Sequence, residues 1–201
     1  MKGGEVMEGI INKCKVEWCD KKAHSRGLCF SHYHIWDKCG YDGGVYKIQI
    51  KDKIYIGKSD ISLHHRTREE LSALKHNHKS APKELLKYFN EICLEELDEE
   101  YLNPELREMI IDKFVKVEHL KERFPFIEKE EEKGNKEIRR KMAFNWHTKY
   151  KDNQMDELTA HWYEKLQKVI DSAETREINK YHKLDIENGT NNLLNKNKVI
   201  K

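Results

Sequence analysis

No apolar run in this sequence approaches the roughly 20 residues that a membrane-spanning helix needs, so no membrane partner is expected. The opening MKGGEVMEGI lacks the apolar centre of a secretory signal, and a cytoplasmic location is expected on that ground. No internal repeat is evident. Apolar residues make up 37% of the 201 residues, no more than the charged ones. The core is therefore modest, the surface heavily solvated, and the length suits one main domain with a small satellite. Cysteine is sparse, with five residues. In a reducing compartment these read as thiols or metal ligands rather than disulfides.

Net charge is also nearly absent, at +2, but the charges lie in blocks. Residues 1–90 hold 17 Lys and Arg against 11 acidic residues, 91–132 hold 6 against 15, and 133–201 hold 15 against 10. Two basic segments flank an acidic one. A local site for a polyanion is compatible with this, as is a mixed solvated surface.

Four of the metal-ligating side chains fall close together. Cys14, Cys19, Cys29 and His32 follow the spacing C-x4-C-x9-C-x2-H. Zinc takes soft or borderline ligands at tetrahedral angles, and a short ligand pair at each end of a loop supplies them. The first pair suits a knuckle turn, and the second suits the first turn of a helix running through HYHIW. So short a segment cannot bury enough apolar surface to fold unaided, so the metal would carry much of its stability. His24, His34 and Cys39 are alternative ligands.

Beyond Gly40 the pattern changes. Val45, Lys47 and Gln49 alternate with Tyr46, Ile48 and Ile50, Lys51-Asp52 breaks the run, and Lys53-Ile54-Tyr55-Ile56 resumes it. This reads as a β-hairpin with Tyr46, Ile48 and Ile50 on one face. SDISLHHRTREELSALKHN then reads as a helix capped by Ser59 or Asp60, with Ile61, His65, Leu71 and Leu74 on its inner face and Arg66 in its early turns. His76-Asn77-His78 reads as a polar loop. Asn153 to Tyr181 reads as a helix with a stripe of Met155, Leu158, Trp162, Leu166 and Val169, packed on the main domain or free to bind DNA or a second copy. The closing NGTNNLLNKNKVIK reads as disordered towards its end.

Gly44-Val45-Tyr46 and Tyr55-Ile56-Gly57, followed by Arg66, resemble the GIY-YIG nucleases. SAPKELLKYFN is similar to that family's second helix, and Phe114–Leu120 (FVKVEHL) to its third strand. PFIEKE resembles the helix carrying its metal-binding glutamate, here Glu130, and Ala143-Phe144-Asn145 resembles its Gly-Tyr-Asn ending. The cysteine module is similar to small zinc fingers at the ends of phage-type nucleases, through Gly27-Leu28-Cys29 and His32-Tyr33. Two features depart from the family. Glu70 stands where members often carry a histidine, which leaves His64, His65 or His78 as substitutes. Residues 93–113 form an acidic helical insertion, and its Glu108, like Glu128, is an alternative to Glu130.

The resemblance implies an α/β (α+β) fold, a small antiparallel three-stranded sheet flanked by helices. It implies a zinc module over 1–40, a nuclease domain over 43–147, and a C-terminal helix and tail over 148–201. The implied activity is a Mg2+- or Mn2+-dependent DNA endonuclease of phage or homing type, active in the host cytoplasm if phage-encoded. A restriction-type enzyme, a decayed DNA-binding scaffold and a zinc-dependent adaptor are the rivals. Glu130 would hold the hard cation, Arg66 grip the phosphate, Tyr46 activate water and Tyr55 orient it. Lys58 would depress the tyrosine pKa values, His78 share the proton chemistry and Asn145 hold local structure. Lys13, Lys15, Lys21, Lys22, Arg26 and Arg68 would contact DNA phosphates. The partner is double-stranded DNA, bound by a monomer or transient dimer, with no small-molecule substrate.

Overall fold

The computed structural model describes residues 12–39, 42–97, 103–121 and 136–195. Among them the alternating segment forms the expected hairpin, β1 (Gly44–Ile50) and β2 (Lys53–Ser59). The turn is Lys51-Asp52, with Lys51 at φ +50. A third strand, β3 (Val115–Lys121), pairs on the other side of β1, giving an antiparallel sheet of order β2-β1-β3.

The two-residue period decides what each face of the sheet meets. Tyr46, Ile48 and Ile50 point to one side, onto Leu63 and Leu74 of α2 (Leu63–Lys75), Leu85 and Phe89 of α3 (Lys83–Leu97) and Ile110 of α4 (Pro104–Phe114). Val45 and Ile56 point to the other, under Ala173 and Ile178 of the long C-terminal helix. The result is a mixed helix-and-strand fold, with a three-stranded antiparallel sheet flanked by helices. Arg107, fully buried in α4, ties three helices together. It donates to Leu74 O and Asn90 Oδ1, both at 2.8 Å, and lies over the Phe89 ring. The acidic segment 93–113 thus supplies part of this core.

The cysteine module folds as a knuckle, with a short antiparallel bridge between Lys13 and Lys22 leading into α1 (Phe30–Lys38). Gly27 sits at φ +76, the left-handed turn that sends the chain back towards Cys29. The knuckle packs against two helices of the C-terminal part. Cys14, Val16, Leu28 and Ile35 share one core with Ala143, Phe144 and Trp146 of α5 (Lys136–Lys151) and with Tyr163, Leu166 and Ile170 of α6 (Glu157–Asn188).

Three local expectations are corrected. Ser62, not Ser59 or Asp60, caps α2, accepting from the His65 N–H; Ser59 Oγ instead accepts from the N–H groups of Ile61 and Ser62. The inner face of α2 is Leu63, Thr67, Glu70, Ala73 and Leu74, an apolar stripe interrupted by two polar residues that find partners on the sheet. Helix α6 starts at Glu157, capped by Asp156, and leaves Leu158 66% exposed; its buried stripe runs on through Ala173 and Ile178.

The chain after α6 is described as far as Asn195, and the end expected to be disordered, residues 196–201, lies outside the described residues. Gly189 ends the helix at φ +63, and Asp185 accepts from Thr190 Oγ1 and from the N–H groups of Asn192 and Leu193. Leu193 then bridges Ile54 in parallel, covering the free edge of β2. No helix among the described residues is long and apolar enough to cross a membrane.

Candidate functional site

The strand register pairs one tyrosine of the two triplets with a glycine, while Tyr55 faces Ile48 and Gly44 faces Ser59. Tyr46 stands opposite Gly57 across β1 and β2. A Cβ on Gly57 would lie 2.3 Å from both Cζ and Oη of Tyr46, so the phenol occupies the space that any side chain at 57 would need. Gly57→Ala is therefore expected to destabilise the fold by about 2 kcal/mol through overpacking. Chemical denaturation checks this, and the loss should shrink in a Tyr46→Ala background, where the ring is gone.

Tyr46, Tyr55, Lys58 and Arg66 line one cleft of about 390 Å3 between β2 and the start of α2, together with Asp60, Glu69 and Glu174. The two tyrosine rings are 6.5 Å apart, and Tyr46 is only 1% exposed. Tyr46 Oη donates to Glu70 Oε1 at 2.5 Å, and Arg66 Nη2 lies 3.1 Å from the same oxygen. Glu70 is 1% exposed, and its Oε2 is buried with no hydrogen-bond partner among the described residues. Burial raises the Glu70 pKa against the pull of Tyr46 and Arg66. Burial, then the Glu70 charge, raises both tyrosine pKa values well above the ordinary phenol.

Lys58 does not depress them. Its ammonium is held by two carboxylates of α6, Asp171 Oδ1 at 2.6 Å and Glu174 Oε2 at 3.1 Å. Glu174 is 6% exposed and is the buried carboxylate that α6 brings to the cleft wall. Asp60 anchors the same helix, accepting from Tyr163 Oη and Gln167 Nε2, each at 2.8 Å. From the knuckle side, Lys38 of α1 pairs with Glu69 at 2.8 Å and completes the wall.

The other expected residues fall elsewhere. Glu130 and Glu128 lie outside the described residues. Asn145 is exposed on α5 and does not line the cleft; it points away because its neighbours Phe144 and Trp146 fill the knuckle core. The asparagine that grips the sheet is Asn195, whose Oδ1 accepts from Ile56 N–H and whose Nδ2 donates to Ile56 O. His78 bonds Ser80 Oγ and lines an adjoining cleft of about 710 Å3 with Arg68 and His76, not the tyrosine cleft. His64 is exposed, whereas His65 lines both clefts. Glu108 pairs with Lys75 on the outer face of α4. Glu174, Asn195 and Asp60 were missed. The available signal was an acidic residue on a helix that ends in an Asn-rich segment, a combination that carries no spacing rule of its own.

The cysteine cluster assembles as its spacing suggests. The ligand atoms of Cys14, Cys19, Cys29 and His32 all lie within 4.8 Å of one another, a set that could hold a metal ion. Cys19 and Cys29 sulfurs are 3.9 Å apart and Cys14 Sγ is 3.2 Å from His32 Nδ1. A tetrahedron of about 2.3 Å bonds requires about 3.8 Å between sulfurs. Burial pushes the Cys14 thiol up, but the Cys29 N–H and the His32 ring outweigh it and bring the thiol down to about 7. On its far side the His32 ring, through Nε2, meets Asp152 Oδ2 at 2.7 Å, and Trp18 Nε1–H donates to that oxygen. Cys39 is buried outside the cluster, its thiol pushed up to about 12 by desolvation. His24 and His34 pack edge-to-face against Phe30 instead of joining the ligands.

No protein-family model matches this chain, and neither curated proteins nor solved structures give a match.

Proposed function

We propose that this chain is a metal-dependent DNA endonuclease of the GIY-YIG type, with a zinc knuckle built into the body of the enzyme. The observation that carries the reading is the single cleft that Tyr46, Tyr55, Arg66 and Glu174 share, with Gly57 as the backbone floor under Tyr46. These are the groups that phosphodiester hydrolysis requires: a cation for the phosphate, hydroxyls to handle the attacking water and a carboxylate for a hard metal. Arg66, 43% exposed on its side chain, reaches the cleft with a planar fork suited to two phosphate oxygens. Tyr55 is close enough to orient water beside Tyr46.

The cleft would suit Mg2+ or Mn2+ through the carboxylates of Asp60, Glu69 and Glu174, with the His65 imidazole beside them. Glu174 would hold the ion, which when bound neutralises charge on the reacting phosphate. At the knuckle, three thiols and an imidazole suit Zn2+, with Asp152 fixing the His32 ring so that Nδ1 faces the metal. The substrate is double-stranded DNA, and a free-standing phage or homing endonuclease is the biology we favour.

Incubating purified protein with supercoiled plasmid and phage genomic DNA, with Mg2+ and with EDTA, tests this. Metal-dependent cutting that Tyr46→Phe loses by about 100-fold or more is the expected result. DNA binding without cutting across varied DNAs would instead favour a decayed scaffold, a reading to which the Lys58 ammonium already sitting on Glu174 lends weight.

A further inference from the structure

We propose that Glu70 is the proton acceptor behind Tyr46, and that it is set free to act when Arg66 turns from it to a substrate phosphate; this rests on the nuclease reading above. Tyr46 Oη and Arg66 Nη2 converge on one oxygen, Glu70 Oε1, at 2.5 and 3.1 Å. A phenol that already donates its proton to a carboxylate has its oxygen lone pairs free to receive one from water. The phenol needs no ionisation of its own, which its burial opposes.

The step balances as a relay. A water O–H bond breaks and its proton passes to Tyr46 Oη, while the proton of Tyr46 passes to Glu70 Oε1. Tyr46 stays neutral and Glu70 becomes a carboxylic acid. The water oxygen bonds to phosphorus as the bond from phosphorus to the leaving sugar oxygen breaks, and that oxygen takes a proton from solvent. Glu70 returns its proton through the adjoining cleft, which it lines. Nothing is oxidised or reduced.

Arg66 supplies the control. While it lies on Glu70, its charge stabilises the carboxylate and lowers its proton affinity. A phosphate that engages the guanidinium removes that cation from a site already short of water, and the proton affinity of Glu70 rises as the substrate arrives. The other charged or titratable groups that face this site leave the relay to Glu70. Tyr55 on β2 is a half-buried phenol with its own pKa raised. Glu69 is engaged by Lys38 and His65, and Glu174 by Lys58. On β3, His119 stands opposite Tyr46 in the ladder, with its Nε2 3.1 Å from Thr67 Oγ1. Glu70 acts through Tyr46 and is a positioning residue with a proton to hold.

The test is single-turnover plasmid cleavage in Mg2+ between about pH 5 and 9 by wild type, Glu70→Gln, Glu70→His and Glu70→Asp. Activity needs ionised Glu70, so the wild-type rate should fall as pH drops through its raised pKa. Glu70→Gln should lose about 100-fold and flatten that acid limb. Glu70→His should recover part of the rate with the limb moved towards about 6.5. If Glu70→Gln fails to fold, the shifted limb of Glu70→His and a rate loss in Glu70→Asp carry the same test. Folded variants with the wild-type rate and pH profile would overturn the relay alone. A wild-type protein that cuts none of the DNAs would overturn the nuclease reading and the relay with it.

Discussion

Replacing Glu174 by glutamine is expected to reduce Mg2+-supported cleavage by about 10^3-fold, roughly 4 kcal/mol of transition-state stabilisation, and to leave the melting temperature nearly unchanged. Glutamine keeps the size and one acceptor oxygen, and Lys58 keeps Asp171 at 2.6 Å, so the wall between β2 and α6 stays intact. What is lost is the negative charge that would hold the cation. Glu130→Ala should keep cutting on this assignment, because Glu174, one of three carboxylates in the cleft with Tyr46, Tyr55 and Arg66, is the one proposed to hold the ion. Measuring the two variants side by side on one plasmid is decisive. A folded Glu174→Gln enzyme with full activity, beside a dead Glu130→Ala, would return the metal to the segment after β3. Rising Mg2+ or Mn2+ should partly restore Glu174→Gln if the defect is one of ion affinity.

The sequence read well where the signal is local. Period-two alternation placed Tyr46, Ile48 and Ile50 on one face, and the turn at Lys51-Asp52 fixed the register that sets Tyr46 over Gly57. The cysteine spacing gave the complete Cys3His set. It read poorly where partners are remote in the chain. Lys58 meets Asp171 across 113 residues, and Asn195 meets Ile56 across 139. No periodicity encodes such pairs; they follow from how α6 lies across the sheet. In the segment after α6 the carboxylate of Asp185 and the free edge of β2 satisfy the backbone of Asn192 and Leu193, partners that an Asn-rich composition does not reveal. Glu70 was legible only as a departure from a resemblance. Its meaning depends on Tyr46 and Arg66 reaching the same oxygen, which only the packing of α2 against β1 reveals.

Stripping zinc from the knuckle is expected to lower the melting temperature by at least about 10 °C, roughly 4 kcal/mol for a chain of this size, and to abolish cleavage even when Mg2+ is restored. The knuckle's own apolar residues are few, and without the ion its thiols lose the bonds that hold them together. Because Val16, Leu28 and Ile35 share a core with Phe144, Trp146, Tyr163, Leu166 and Ile170, opening the knuckle uncovers one end of α5 and α6. Helix α6 carries Glu174 to the cleft and Asp171 to Lys58 at its wall, and α1 carries Lys38 to Glu69, so both walls loosen together. Treatment with EDTA followed by dialysis, then separate return of Mg2+ and Zn2+, distinguishes the two ions: only Zn2+ should restore the melting temperature, and both should be needed for cutting. Metal analysis should find about one zinc per chain, a content that Cys39→Ser leaves intact, since Cys39 lies outside the ligand set. Asp152→Asn should weaken zinc by about 10- to 100-fold by removing the carboxylate that orients His32. Acid should release the metal, because the thiols and the imidazole must be deprotonated to bind it. Unchanged melting and cutting in zinc-free protein would show that the shared core holds the cleft by itself, and would reduce the knuckle to a surface appendage.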